Sequence, residues 1–262
     1  MVINGYLELY QKLKILRMKQ LFLILVCGVG MVAITRAQDF ITHGKIEFEI
    51  KHNNKRMIGD QHPGIDLSTI SDDDLSYRDL TFSGNQLLYS AAHRGATKMV
   101  ISESALYTNL DTRQTVAKHY FMMDQYLMED SIHTIKWKLD NEVRKIAGFE
   151  CRKAVGRFHD SVYVVAFYCP EIISQGGPEF FTGLPGMILG LAIPRLYTTW
   201  FATKVELVDA NALKITPPTI KNIPLLKKQE LTASLYKKYQ DTDWIEGLTP
   251  EKLSTLLDIY TF

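Results

Sequence analysis

The sequence predicts a mainly β protein, a curved antiparallel sheet or half-open barrel or sandwich with helices at its C-terminal end. Three observations carry this. Ile46, Phe48 and Ile50 alternate with Lys45, Glu47, Glu49 and Lys51, the period-two rhythm of a strand with one buried face. The same rhythm returns in short runs along the chain, as in an antiparallel sheet. Helical signals are confined to the end.

In chain order, the first feature is residues 21–34, fourteen uncharged and mostly apolar positions between Lys19 and Thr35-Arg36-Ala37. A membrane-spanning helix needs about 20 such residues. The run therefore reads as the core of a secretory signal peptide cleaved after Ala37 rather than an uncleaved anchor. Val26 stands before Cys27, where a lipid-attachment motif wants a small residue. Met18 opens a signal peptide of ordinary form, so residues 1–17 read as an upstream extension. The expected organisation is 1–37, extension plus signal peptide, then 38–262, a single domain that is periplasmic or secreted and touches the membrane only through its signal peptide.

Export changes the charge. Removing Lys12, Lys14, Arg17, Lys19, Arg36 and Glu8 from 30 basic and 29 acidic residues leaves 25 and 28, a net charge of −3. No basic footprint for nucleic acid remains.

Strands are expected at 45–51, 86–92, 97–103, 118–123, 125–129 and 135–140, the last because Ile135, Trp137 and Leu139 alternate with Lys136, Lys138 and Asp140. Further strands are expected at 149–155, 162–168, 197–207 and 213–216. Residues 162–168 are apolar or aromatic on both faces, which suits the middle of a sheet. The acidic stretch 66–80, centred on Ser71-Asp72-Asp73-Asp74, reads as a loop with one helical turn. Helices are expected at 225–240 and 249–260, the second opened by a Thr249 cap with Pro250 at the first helical position.

Two cysteines remain after cleavage, Cys151 and Cys169, in strands joined by the turn at His159-Asp160. Antiparallel pairing about that turn places residues whose numbers sum to 320 opposite each other, and these two satisfy it. A disulfide is expected in an oxidising compartment. A reactive or metal-binding thiol pair and two free buried thiols are the other readings.

The least ordinary segment is 176–191, GGPEFFTGLPGMILGL, with five glycines and two prolines among bulky apolar residues. No regular helix or central strand tolerates that composition, and a solvated loop is less apolar. Gly183 and Gly186 permit positive φ, and Pro185 fixes its own φ while holding Leu184 extended. One reading is a corner that delivers Met187, Ile188 and Leu189 into the sheet. The other is a ligand or partner surface made of Gly177, Pro178, Gly183, Leu184, Pro185, Gly186, Met187, Ile188 and Leu189.

The run Gly183-Leu184-Pro185-Gly186-Met187-Ile188-Leu189, preceded by Gly177-Pro178, resembles the signature of the GLPGLI family, secreted proteins of uncharacterised function found largely in Bacteroidetes. It departs from the signature at Met187 and Gly190. The resemblance extends upstream through Trp137, residues 145–154 and the aromatic strand ending at Tyr168. It implies a cell-envelope protein with an outer-membrane receptor or transporter as partner.

Chemistry-bearing motifs are sparse. His43, His52, His62, His93, His119, His133 and His159 lack the spacing of metal ligands, and no nucleophile elbow or zincin helix is present. The glycine-rich segment lacks the following helix that a phosphate cradle needs. No cofactor or metal is expected. Two function classes remain: a non-enzymatic binding or accessory protein for an apolar or peptide ligand, and a hydrolase or protease-like enzyme whose site is assembled from scattered residues.

Overall fold

The structure, a computed structural model, describes residues 12–20, 40–92, 104–122, 124–159, 161–241 and 247–259. The chain divides into two units, Met1–Asp39 and Phe40–Phe262. In the first, residues 12–20 form a helix, α1. The cleavage site after Ala37, Cys27, His93 and the strand expected at 97–103 lie outside the described residues. Among the described residues no helix is long and apolar enough to cross a membrane.

Among the described residues the second unit is built on one open twelve-stranded sheet. Its strands are β1 (His43–Asn53), β2 (Asp73–Ser83), β3 (Gln86–Ala91), β4 (Ala105–Asn109), β5 (Gln114–Phe121), β6 (Asp124–Ser131), β7 (Lys138–Ile146), β8 (Phe149–Phe158), β9 (Val162–Cys169), β10 (Met187–Ile193), β11 (Thr198–Glu206) and β12 (Leu225–Lys227). They lie in the order β12-β6-β5-β4-β3-β2-β1-β11-β10-β9-β8-β7. Every neighbouring pair is antiparallel except β12 and β6, which are parallel. The mainly β class expected from the sequence is the observed one.

Directly opposed residues of antiparallel strands share a face. The register therefore traces one side of the sheet. Phe48 opposes Arg78, Leu80 opposes Tyr89, Tyr89 opposes Leu106, Leu106 opposes Ala117 and His119 opposes Tyr126. In the other direction Ile50 opposes Trp200, Trp200 opposes Leu191, Leu191 opposes Ala166 and Ala166 opposes Ala154. Most of these side chains are buried in one continuous core. This inner face is covered by the connection between β9 and β10, by Ile135 and Trp137, and by the C-terminal helices α3 (Lys228–Tyr239) and α4 (Pro250–Ile259). Leu231 and Leu235 of α3 and Leu253 and Leu257 of α4 enter the same core, and the Phe121 and Tyr239 rings meet edge to face at 5.6 Å. The Thr249 side chain caps α4 by accepting from Lys252 N at 3.1 Å.

Several boundaries differ from the sequence reading. Residues Asp73–Ser83 are strand β2 rather than loop, held by β1 on one side and β3 on the other. A helix without a counterpart in that reading, α2 (Asn54–Gln61), follows β1, with Asn53 capping it by accepting from Arg56 N. Ile135 and Trp137 precede β7 and pack onto the inner face instead of pairing in it. Residues 213–216 pair with nothing in the sheet, and residues 225–227 form β12 before α3 begins.

Candidate functional site

The glycine- and proline-rich segment is the end of a seventeen-residue connection, residues 170–186, laid over the inner face. Of the nine residues proposed as a corner or a surface, only Gly183 and Pro185 are exposed; Gly177, Pro178, Leu184, Gly186, Met187, Ile188 and Leu189 are buried. Backbone bonds hold the turn: Gly186 N donates to Leu184 O at 2.8 Å, Met187 N to Ile172 O at 2.9 Å and Ile188 N to Gly176 O at 2.8 Å. Gly186 has φ 145°, and a Cβ there would lie 2.2 Å from Cys169 O. That neighbour is backbone and has no rotamer to escape through. Trp137 Nε1 donates to Thr182 O at 2.9 Å and clamps the segment from outside the sheet.

The same segment delivers a residue that sequence reasoning missed. Glu179 is the only charged residue between 176 and 191, stands in the left-handed region at φ 54° and is buried. Its carboxylate accepts from Trp200 Nε1 at 3.3 Å. Arg78, Tyr89, Ser104, His119 and Glu179 line one cavity of about 10 Å³, room for roughly one water. Arg78 Nη1 donates to Ser104 O at 3.2 Å. The Tyr89 hydroxyl sits near Glu179 without meeting the geometry of a good hydrogen bond.

Burial dominates the electrostatics of this cluster. It pushes the Glu179 carboxyl up to about 7, against the pull of the Arg78 charge, the Trp200 donor and the nearby Tyr89 hydroxyl. It lowers His119, helped by Arg78, so that the imidazole is favoured neutral; Nδ1 lies 2.8 Å from Tyr120 O. It also raises the Tyr89 phenol, with Glu179 adding to the effect. Glu179 and His119 line the same cavity, and neither is among the groups that shift the other. The signal available in the sequence was the lone acid inside an apolar run.

Two histidines meet in space although their spacing gave no hint. The His133 and His159 rings lie 6.0 Å apart and join an aromatic pile in which Phe158 and Phe180 centroids are 4.7 Å apart and Phe180 stacks on Phe181 at 4.7 Å. Among the described residues no three His, Cys, Asp or Glu side chains gather as a metal site.

The β8–β9 register runs from Arg152 opposite Tyr168 to Phe158 opposite Val162, and every pair sums to 320. Cys151 and Cys169 continue it. Both are free thiols in the structure and buried, and Cys151 Sγ donates to Phe149 O at 3.7 Å. The influence of the Cys169 thiol, with burial behind it, raises Cys151, and that of Cys151 lowers Cys169, because a first thiolate is stabilised by its protonated neighbour and opposes a second.

A second, larger space lies on the outer face. It is an open groove of about 450 Å³ lined by Thr134, Lys136, Lys138, Gly156, Arg157 and Tyr163. Lys138 opposes Val155 and Arg157 opposes Tyr163, which aligns these side chains on the face away from the core.

Comparison with known proteins adds little chemistry. Residues 156–190 match the model of a family described as a protein of unknown function (Porph_ging). No curated protein matches the chain. Two crystal forms of PNGF-II, in space groups C2 and P21, share the fold with TM-scores of 0.51 and 0.53 at 13% and 14% identity. In each, 75% of this chain aligns with 33% of PNGF-II, so the chain spans about a third of that protein's length. An uncharacterized conserved protein from Thermus thermophilus aligns at a TM-score of 0.36 and 7% identity, over 70% of this chain and 90% of its own.

Proposed function

We propose that the chain is an exported cell-envelope protein that binds a ligand or partner without converting it. The signal-peptide character of residues 18–37 and the GLPGLI-like run support the envelope setting. One observation carries the preference for binding: the open space, about 450 Å³, is on the outer face, while the catalytic-looking cluster encloses about 10 Å³. A groove of the larger size accepts a small molecule. The matched segment 156–190 contributes both the corner and, through Gly156, Arg157 and Tyr163, one wall of that groove. PNGF-II contains a region of this fold within a longer chain, which fits an accessory module.

The groove is basic, so it favours an anionic ligand over the apolar one expected from the sequence. An outer-membrane receptor or transporter is the partner the resemblance implies. The test is recovery of the wild-type protein and an Arg157→Glu variant from the envelope of the native host, with mass spectrometry of small molecules and proteins retained by each. A species kept by wild type and lost by the variant supports the reading; identical recoveries overturn it.

The alternative is a hydrolase, favoured by the shared cavity of Ser104, His119 and Glu179. Hydrolysis of a panel of esters, amides and glycosides that is lost in Glu179→Gln, with the fold intact, would establish it. A panel without turnover would remove it.

A further inference from the structure

The outer-face groove carries an inference that deepens the binding reading and rests on it. Lys136, Lys138 and Arg157 all line it, and among the described residues no carboxylate does. None of the three takes part in an ion pair among the described residues. A fourth cation stands at the rim, where Arg113 Nη2 donates to Thr134 Oγ1 at 3.0 Å. By contrast Lys153, on the neighbouring stretch of β8, is neutralised by Glu142 at 2.5 Å and Asp140 at 3.7 Å. Like charges gathered around one groove repel, and an anion drawn into the gap relieves that repulsion.

The fold builds this concentration. Trp137 and Ile135 turn inward over Gly156, where a Cβ would meet Trp137 Cε3 at 2.8 Å and Ile135 Cγ2 at 2.9 Å. With those two directed to the core, the intervening Lys136 and the following Lys138 face the groove. Arg157 offers a planar fork that matches the geometry of a sulfate, phosphate or carboxylate, while the lysines act as point charges. Tyr163, 47% exposed and directly opposite Arg157, supplies a flat apolar platform beside the charge.

We infer that this groove binds a small ligand that carries a sulfate- or phosphate-type oxyanion next to a planar ring, the oxyanion held by Lys136, Lys138 and Arg157 and the ring resting on Tyr163. The three cations supply the affinity for the oxyanion, and the tyrosine supplies the preference for a ring.

Isothermal titration of the folded protein at low salt tests it with inorganic sulfate, inorganic pyrophosphate, para-nitrophenyl sulfate and a hexa-aspartate peptide. The expected result is saturable binding of the first three, with para-nitrophenyl sulfate tightest. Lys136→Gln with Arg157→Gln should weaken all three by at least about tenfold, since hydrogen bonds between ionised partners are the strong ones. Tyr163→Ala should weaken only para-nitrophenyl sulfate. The altered residues are exposed or at the groove surface, and circular dichroism confirms that each variant is folded. No saturable binding of any oxyanion, or binding indifferent to the double variant, overturns the oxyanion site while leaving the envelope recovery experiment as a separate judge of binding in general. Preference for hexa-aspartate over para-nitrophenyl sulfate overturns the small-ligand class in favour of an acidic peptide.

Discussion

Trp200 donates its indole N–H to the Glu179 carboxylate across 3.3 Å in the protein interior, joining β11 to the middle of the β9–β10 connection. The buried carboxyl sets part of the pH behaviour of the fold. It titrates at about 7 in the folded protein against 4.5 as its ordinary value. Between these values the folded state holds a proton that the unfolded chain has lost. Stability from this group is therefore complete below pH 4.5, declines above it and is gone once pH has risen through 7, a change on the order of 3 kcal/mol. Urea unfolding at about pH 5 and about pH 8 should show that loss in the wild type, and Glu179→Gln should remove it.

His119 acts with the opposite sign. Its folded value is lowered by burial, so the unfolded chain takes up a proton first as pH falls below about 6.5. In Glu179→Gln the surviving trend should be a loss of stability toward acid, and His119→Gln in that background should reduce it, the remainder coming in part from His52, which burial also lowers. A slope unchanged by the second substitution would place the titration elsewhere.

Gly186 and Gly183 separate the two sources of glycine's usefulness. Both have positive φ, 145° and 90°, but a Cβ on Gly186 meets Cys169 O at 2.2 Å, whereas on Gly183 the nearest atom is Trp137 Nε1 at 3.9 Å. Gly183→Ala should cost only backbone strain, about 1–3 kcal/mol. Gly186→Val should cost more than about 4 kcal/mol and abolish folding. Thermal unfolding of both variants checks the order; a folded Gly186→Val protein that lost partner binding would make this stretch a surface rather than a corner.

Trp137→Phe removes the hydrogen bond to Thr182 O while keeping most of the ring on Gly156. The buried carbonyl loses its partner, and the expected cost is about 1–3 kcal/mol. Chemical denaturation measures it. A variant as stable as wild type would show that the indole serves only as filler.

Cys151 and Cys169 continue a register that places them face to face, and oxidation in the proposed exported setting should bridge them. The bridge would close a loop of nineteen residues counted from Cys151 to Cys169 and add about 3 kcal/mol. Thiol titration of denatured protein, with and without reductant, reads the outcome: two reactive thiols without reductant sink the bridge.

What the sequence revealed follows from how local each signal is. The β1 alternation, the 151–169 register and the Thr249 cap depend on neighbours within a hairpin or a turn, and each appears in the structure. Strand β2 was hidden because its first residues are acidic and mostly exposed, and only its later half, with Leu80 and Phe82, enters the core. Strand β12 was hidden inside a helical pattern because its pairing with β6 spans about a hundred residues. Glu179 carries its meaning only through Arg78, Tyr89 and Trp200, which three separate strands bring to it. The outer groove was legible in part, since the Lys136–Lys138 alternation was visible, but Arg157 and Tyr163 join it through β8–β9 pairing.

The placement of β1 between β2 and β11 has a consequence for the order of events at synthesis. His52 Nδ1 reaches Thr198 Oγ1 at 2.9 Å across 146 residues of chain. The first strand of the sheet to leave the ribosome therefore waits, with one edge unsatisfied, until β11 has been made. Non-local pairing of this kind is slow to form. A nascent chain that cannot close its central sheet early stays threadable for longer, a useful property for a polypeptide proposed to cross a membrane before it folds.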